Sequence, residues 1–229
     1  MKTNGNTILI TGGSAGIGFE LAKQFSQLGN KVLITGRNAD KLKEAASKLE
    51  NVIPISGDVT DSESTDQLVA QIKQEHPELN IVINNAGYAD VYQLDADANA
   101  FSKASWEMET NYLSIVGLTE KLLPTLLKNE NSAVVNVTSI VAYYPQKMLP
   151  TYTASKAALK AYTDVLRETF EDQLNVFELI PPLVNTDFSK EIGGENGIPP
   201  KEVADELILA LEKNQWLVPV GMSKDFVNV

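Results

Sequence analysis

Seven short apolar runs rich in β-branched residues, separated by longer amphipathic stretches, constrain this chain's fold more than any other feature. They are Thr7 to Thr11, Val32 to Thr35, Val52 to Ile55, Ile81 to Asn84, Ala133 to Thr138, Val176 to Ile180 and Leu217 to Val220. Near-continuous apolar runs of this length suit parallel strands buried on both faces under helices. The intervening stretches supply the helices. These are Ile17 to Leu28, closed by Gly29; Asp40 to Leu49, with Asn38 or Ala39 near its cap; and Glu63 to Glu75, closed by Pro77. Trp106 to Leu127, Tyr152 to Glu171 and Pro200 to Lys213 follow, the last with proline in its first turn. The expected fold is α/β and doubly wound, as one domain over residues 1–229, since no repeat, linker or low-complexity tract divides the chain. In such sheets ligands bind beyond the carboxyl ends of the strands.

At that end of the first run stands Thr11-Gly12-Gly13-Ser14-Ala15-Gly16-Ile17-Gly18. Gly12, Gly16 and Gly18 lie between strand and helix, where backbone can approach a pyrophosphate and the helix N-terminus favours negative charge. Their spacing departs from Gly-x-Gly-x-x-Gly and implies a slightly longer turn. In a dinucleotide site the end of the second strand, about 20 residues on, selects between a ribose hydroxyl and a 2′-phosphate. Thr35-Gly36-Arg37 places no carboxylate there, and the planar fork of Arg37 suits phosphate. NADP(H) is therefore the expected cofactor, with NAD(H) as the alternative. Ser14 adds a hydroxyl to the cradle, whereas Lys41 reads as exposed helix surface.

Composition excludes other chemistries. The 229 residues carry 19 Lys plus Arg against 30 Asp plus Glu, a net charge of -11 that would repel nucleic acid and anionic lipid. Neither partner is expected. With no cysteine and only His76, thiolate chemistry and a multi-histidine metal site are excluded, so no metal is expected. No apolar run has the length of a signal h-region or a membrane span, and the cytoplasm is the expected location.

Tyr152 and Lys156 stand four apart in Tyr152-Thr153-Ala154-Ser155-Lys156, hence on one face of a helix. A free phenol titrates at about 10, and an ammonium about 4 Å away contributes about 4 kcal/mol at an effective dielectric of 20, roughly 3 pKa units. The pair is thus expected to bring the Tyr152 phenol down into working range. Ser139, just past a strand end in Val137-Thr138-Ser139, is placed to donate to a substrate carbonyl and position it beside the phenol.

With these residues on the page, the chain resembles the short-chain dehydrogenase/reductase family from end to end. The resemblance is carried by Thr11 to Gly18, Asp58-Val59, Asn84-Asn85-Ala86-Gly87, Asn111, Ser139 and Tyr152 to Lys156. It implies a single Rossmann domain whose strands run in the order 3-2-1-4-5-6-7. It also implies that Asp58 and Val59 flank the adenine, and that Asn85, Ala86 and Gly87 support the central strand and touch cofactor ribose. Asn111 would hold a water in a proton relay through Lys156, and Lys156 would hold the nicotinamide ribose hydroxyls. Where the family usually shows Pro-Gly, this chain has Pro181-Pro182-Leu183-Val184-Asn185-Thr186, so its nicotinamide loop is shaped without glycine's freedom. Val184 backbone and the Thr186 hydroxyl remain available to the carboxamide. This Pro-Pro form resembles a subgroup that includes the DltE-like oxidoreductases.

The expected reaction is hydride transfer between nicotinamide and a carbonyl or secondary alcohol, with Tyr152 as general acid or base and reduction as the working direction. A substrate wall is expected from Tyr88 to Phe101, Val141 to Met148 and the loop segment 187–198, made apolar by Tyr143, Tyr144, Met148, Phe188 and Ile192. That loop is short, which predicts an open site or one closed by a neighbouring subunit. The resemblance implies homodimers or homotetramers built on the helices carrying Asn111 and Tyr152. A catalytically idle NADP-binding regulatory or assembly protein is the competing reading, opposed by the intact Asn111, Ser139, Tyr152 and Lys156 set.

Overall fold

The computed structural model describes residues 1–227; the last two residues of the expected domain lie outside the described residues. Among those described, seven strands form one parallel sheet in the order β3-β2-β1-β4-β5-β6-β7. They are β1 Thr7–Thr11, β2 Lys31–Gly36, β3 Val52–Ser56, β4 Ile81–Asn84, β5 Ala133–Val137, β6 Asn175–Ile180 and β7 Leu217–Pro219. The order is the expected one, and the strand ends differ from the sequence reading by only a residue or so.

Side chains alternate across the sheet, so each strand feeds two cores. Ile8 and Ile10 face α1 (Gly16–Gln27), α2 (Ala39–Ser47) and α7 (Pro200–Lys213), joining Phe25, Leu42 and Leu207. Leu9 faces the other way toward α3 (Ser62–Glu75), α5 (Ser114–Leu126) and α6 (Pro150–Thr169), with Leu68, Leu122 and Leu166. All three β1 side chains are fully buried, each contributing about 1.5–3 kcal/mol, and so the strand needs no polar alternation. The chain winds outward through β2 and β3, then returns to place β4 on the opposite side of β1. That reversal opens a crevice at the carboxyl ends of β1 and β4.

One helix differs from expectation. The stretch read as Trp106 to Leu127 begins earlier, as α4 (Ala100–Met108), and passes through a π-helical turn, Glu109–Leu113, before α5. Phe101 is 87% exposed, so the first turn of α4 carries no apolar stripe by which the sequence could announce it. The π turn has no hydrophobic signature either, and Asn111 sits inside it, fully buried.

Candidate active site

The glycine turn is built by contact with the loop after β4. Gly12 has φ +66°, and a Cβ there would lie 3.1 Å from the Ala86 Cα. At Gly18 a Cβ would lie 2.4 Å from the Gly12 carbonyl oxygen, a clash that no side chain relieves. Asn85 Nδ2 donates to Thr11 O at 2.9 Å, and Thr11 Oγ1 accepts from the Asn85 and Ala86 amides at 3.0 Å each. These bonds join the ends of β1 and β4. Helix α1 then starts with no side-chain cap and no acidic residue in its first turn, which leaves its leading amides available to an anion. Across the crevice a Cβ on Gly16 would meet the Thr186 Cγ2 at 3.2 Å, so the loop after β6 stands directly over the cradle.

Arg37 is exposed at the end of β2, away from the walls of the main cleft. Asp58 and Val59 lie nearby, because the Gly57 amide donates to Gly36 O at 3.1 Å. The Asp58 carboxylate is engaged locally, accepting from the Thr60 amide at 2.9 Å and the Thr60 hydroxyl at 2.8 Å. Half-buried Ser14 and buried Gly18 are likewise not on the cleft lining, whereas Gly12, Gly16 and Ile17 line it.

Helix α6 is fixed by three polar ties. Lys156 Nζ donates to Val137 O at 2.8 Å, Asn136 Nδ2 donates to Thr163 Oγ1 at 2.9 Å, and Asn111 Nδ2 donates to Ser155 Oγ at 2.9 Å. The Asn111 amide also pairs with Tyr88 backbone in both directions, at 2.8 Å each, so its side chain is committed to architecture. Gly87 closes the group: a Cβ there would lie 3.4 Å from Asn111 Oδ1 and 3.9 Å from Lys156 Nζ. Ser139 Oγ accepts from the Val141 amide at 3.3 Å, which leaves its O–H to donate into the cleft. Ser139, Tyr152 and Lys156 meet on the wall of one cleft of ≈ 820 Å³, together with Gly12, Gly16 and Thr186.

The electrostatics differ from the expectation for the pair. Burial pushes the Tyr152 phenol well above its ordinary value; the Ser139 hydroxyl works in the opposite direction, and the Glu107 charge adds to the rise. Burial also brings Lys156 down to about 8. The ammonium is 5.7 Å from the Tyr152 ring centroid and turned to Val137 O. Both shifts favour a neutral lysine beside a protonated phenol over an ammonium beside a phenolate. Tyr152 is therefore a protonated donor.

The apolar wall of the cleft differs from the expected one in its residues. Tyr144, Met148, Phe188 and Ile192 line the cleft, but Tyr143 does not: its hydroxyl donates to the buried carboxylate of Glu178 at 2.8 Å. From the Tyr88 to Phe101 segment only Ala89 and Val91 reach the lining. Met222 and Phe226, which the sequence reading passed over, complete it. Their four-residue spacing was the only available signal.

A sequence profile of the family described as short chain dehydrogenase matches residues 6–197. The chain belongs to the short-chain dehydrogenase family. It is 36% identical over 207 residues to the uncharacterized oxidoreductase DltE of Bacillus subtilis (strain 168), spanning 90% of this chain and 82% of that protein. A short chain dehydrogenase from Burkholderia cenocepacia J2315, solved with NADP, superposes with TM-score 0.88 at 25% identity, covering 98% of this chain and 92% of that one. A second, from Shigella flexneri 2a str. 301 and also with NADP, superposes with TM-score 0.84 at 28% identity over 91% of both chains. Among the described residues, no helix is long and apolar enough to cross a membrane.

Within this short-chain dehydrogenase the Pro181-Pro182 departure has a structural partner. Pro181 O accepts from the Ile140 amide at 3.0 Å, which ties the loop after β6 to the turn after Ser139. Glu178, fully buried on β6, braces the same turn from behind: Thr138 Oγ1 donates to it at 2.7 Å and Tyr143 Oη at 2.8 Å. Both sides of Ser139 thus rest on one carboxylate, whose pKa burial raises. Glu178→Leu would take the acceptor from the Tyr143 hydroxyl and leave Thr138 Oγ1 only its 3.3 Å bond to Leu179 O, and is expected to cost about 1–3 kcal/mol. Urea unfolding measures this, and an unchanged midpoint would contradict the brace.

Proposed function

We propose that this chain is an NADP(H)-dependent oxidoreductase that transfers a hydride between nicotinamide and a carbonyl or secondary alcohol, with Tyr152 giving or taking the proton. The observation that carries the reading is that one cleft joins the glycine cradle to Ser139, Tyr152 and Lys156. The family membership supports the reaction class, and the NADP held by the Burkholderia and Shigella relatives supports the cofactor. The whole of residues 1–229 is read as one domain, with segment 187–198 as its substrate loop.

In this reading Gly12, Ser14, Gly16, Ile17 and Gly18 hold the pyrophosphate, Arg37 the 2′-phosphate, and Asp58 and Val59 the adenine. Asn85, Ala86, Gly87 and Lys156 meet the ribose, while Pro182, Val184 and Thr186 meet the carboxamide. When bound, the nicotinamide supplies or accepts the hydride. The Ser139 O–H donates to the substrate oxygen and holds it against Tyr152, whose buried phenol stays protonated and ready for reduction. Asn111 carries a relay role through its backbone, since its side chain is already bonded to Tyr88 and Ser155.

The test is to follow nicotinamide absorbance with NADPH across a panel of ketones, aldehydes and diketones. Consumption with at least one carbonyl is expected. NADPH binding without consumption across the whole panel would favour the idle regulatory protein and reject the enzyme. Cofactor choice has its own test. Arg37→Asp replaces the phosphate-binding fork by a repelling charge and is expected to weaken NADPH about 10- to 100-fold, from the worth of charge-assisted hydrogen bonds. NADH should change little, and equal loss of both cofactors would reject the assignment. We further read the chain as a cytoplasmic homodimer or homotetramer, with exposed Trp106, Leu113 and Val165 offering apolar area on the helices around the site.

A further inference from the structure

We infer that the cleft extends past Tyr152 into an apolar subsite that takes an alkyl or acyl chain attached to the reacting carbonyl, with segment 221–226 as its far wall. This rests on the oxidoreductase reading above and names the substrate class for that same site. Large apolar side chains from three separate segments converge there: Tyr144 and Met148 after β5, Phe188 after β6, and Met222 and Phe226 after β7. The Phe188 ring lies 6.1 Å from the Tyr152 ring, so the apolar surface begins at the proton donor. The Tyr144 and Phe226 rings meet at 4.9 Å and continue it outward.

The far wall is held in place. The Val220 amide donates to Ile180 O at 3.1 Å, and the Ser223 amide donates to Val220 O at 2.9 Å. Gly221 sits where a Cβ would be 3.6 Å from Pro182 Cγ, against the proposed carboxamide loop. Ser223 and Val227 are buried while Met222 and Phe226 are 56% and 40% exposed. Anchored backbone presenting exposed apolar side chains to a reaction cleft marks a surface completed by a ligand.

The chemistry of the surface selects the ligand. A polyhydroxylated substrate would leave its hydroxyls unpaired against these side chains, at a desolvation cost. Met148 and Met222 offer adaptable thioethers suited to a flexible chain. Besides Lys156, the charged residues on the lining are Lys147 and Asp187, both exposed and of opposite sign, so no net charge selects an ionic tail.

The test is kcat/KM with NADPH for the straight-chain aldehydes from butanal to octanal. Each added methylene is expected to raise it about threefold to fourfold, the value of one buried CH₂, or about 80- to 250-fold over the series. In Phe226→Ala and in Met222→Ala the octanal-to-butanal ratio is expected to fall, by about tenfold in the pair combined. A flat series, or a ratio unchanged in both variants, overturns the subsite. A flat series together with self-association lost in Phe226→Ala also overturns it, and assigns the patch to a second copy of the chain. If no aldehyde is consumed but a ketone is, the same series is run with straight-chain 2-ketones; if no carbonyl of any class is consumed, the oxidoreductase reading fails first. Calorimetry on the NADPH-saturated protein then decides the subsite alone: tighter binding of 1-octanol than of 1-butanol sustains it, and equal binding overturns it.

Discussion

Tyr152→Phe is expected to lower the turnover number for carbonyl reduction by about 10³-fold, within the range general acid catalysis contributes. The substitution removes a single oxygen. The ring is buried and packs against Phe188, and phenylalanine keeps that packing, so neither the fold nor NADPH affinity should change appreciably. Because burial holds the phenol above its ordinary value, Tyr152 stays protonated throughout the neutral range. The pH dependence of reduction near neutrality should accordingly report another group. Steady-state kinetics paired with NADPH titration separates lost chemistry from lost binding, and a parallel fall in both would reject the proton-donor role.

Lys156→Met is expected to abolish measurable turnover and yet raise stability. Lys156 is almost fully buried, without a carboxylate partner among its hydrogen bonds, and burial brings its pKa to about 8 against 10.5 for the unfolded chain. The folded state therefore binds fewer protons than the unfolded state between those values, and stability rises with pH across that window. Below about pH 8 the folded protein carries the full cost of the buried ammonium. At pH 7 its removal should stabilise by about 2–3 kcal/mol, after allowance for the lost bond to Val137. Urea unfolding of the two proteins at pH 7 and pH 10 measures this: the variant should lead at pH 7, and its lead should shrink by pH 10. In the wild type, kcat/KM for reduction should decline as pH rises through about 8 with the loss of the ammonium. A variant less stable at both pH values would show that Lys156 is retained for packing.

Local pattern carried the frame of this molecule. The apolar runs specify β1 to β7 because both faces of each central strand are buried, and the glycines after β1 are legible because only their small size admits the Asn85 loop. The spacing of Tyr152 and Lys156 likewise placed both on one face of α6. What the sequence hid depends on distant partners. Tyr143 is one residue from Tyr144 yet points into the sheet, because Glu178, 35 positions later, accepts its hydroxyl. Phe226 becomes a wall only because β7 ends beside the loop after β6. The π turn at Asn111 follows from its bonds to Tyr88 and Ser155, from elements that no local period connects. The effect of Lys156 on Tyr152 is hidden for a related reason: helix spacing gives proximity, but burial shifts both groups toward their neutral forms.

The most direct measurement is a single-turnover stopped-flow record of NADPH oxidation, with cofactor saturating and the best carbonyl from the panel, for the wild type and Tyr152→Phe. The account predicts one rapid decay in the wild type and one about 10³-fold slower in the variant, at equal NADPH occupancy. Equal decay rates in the two proteins would contradict it.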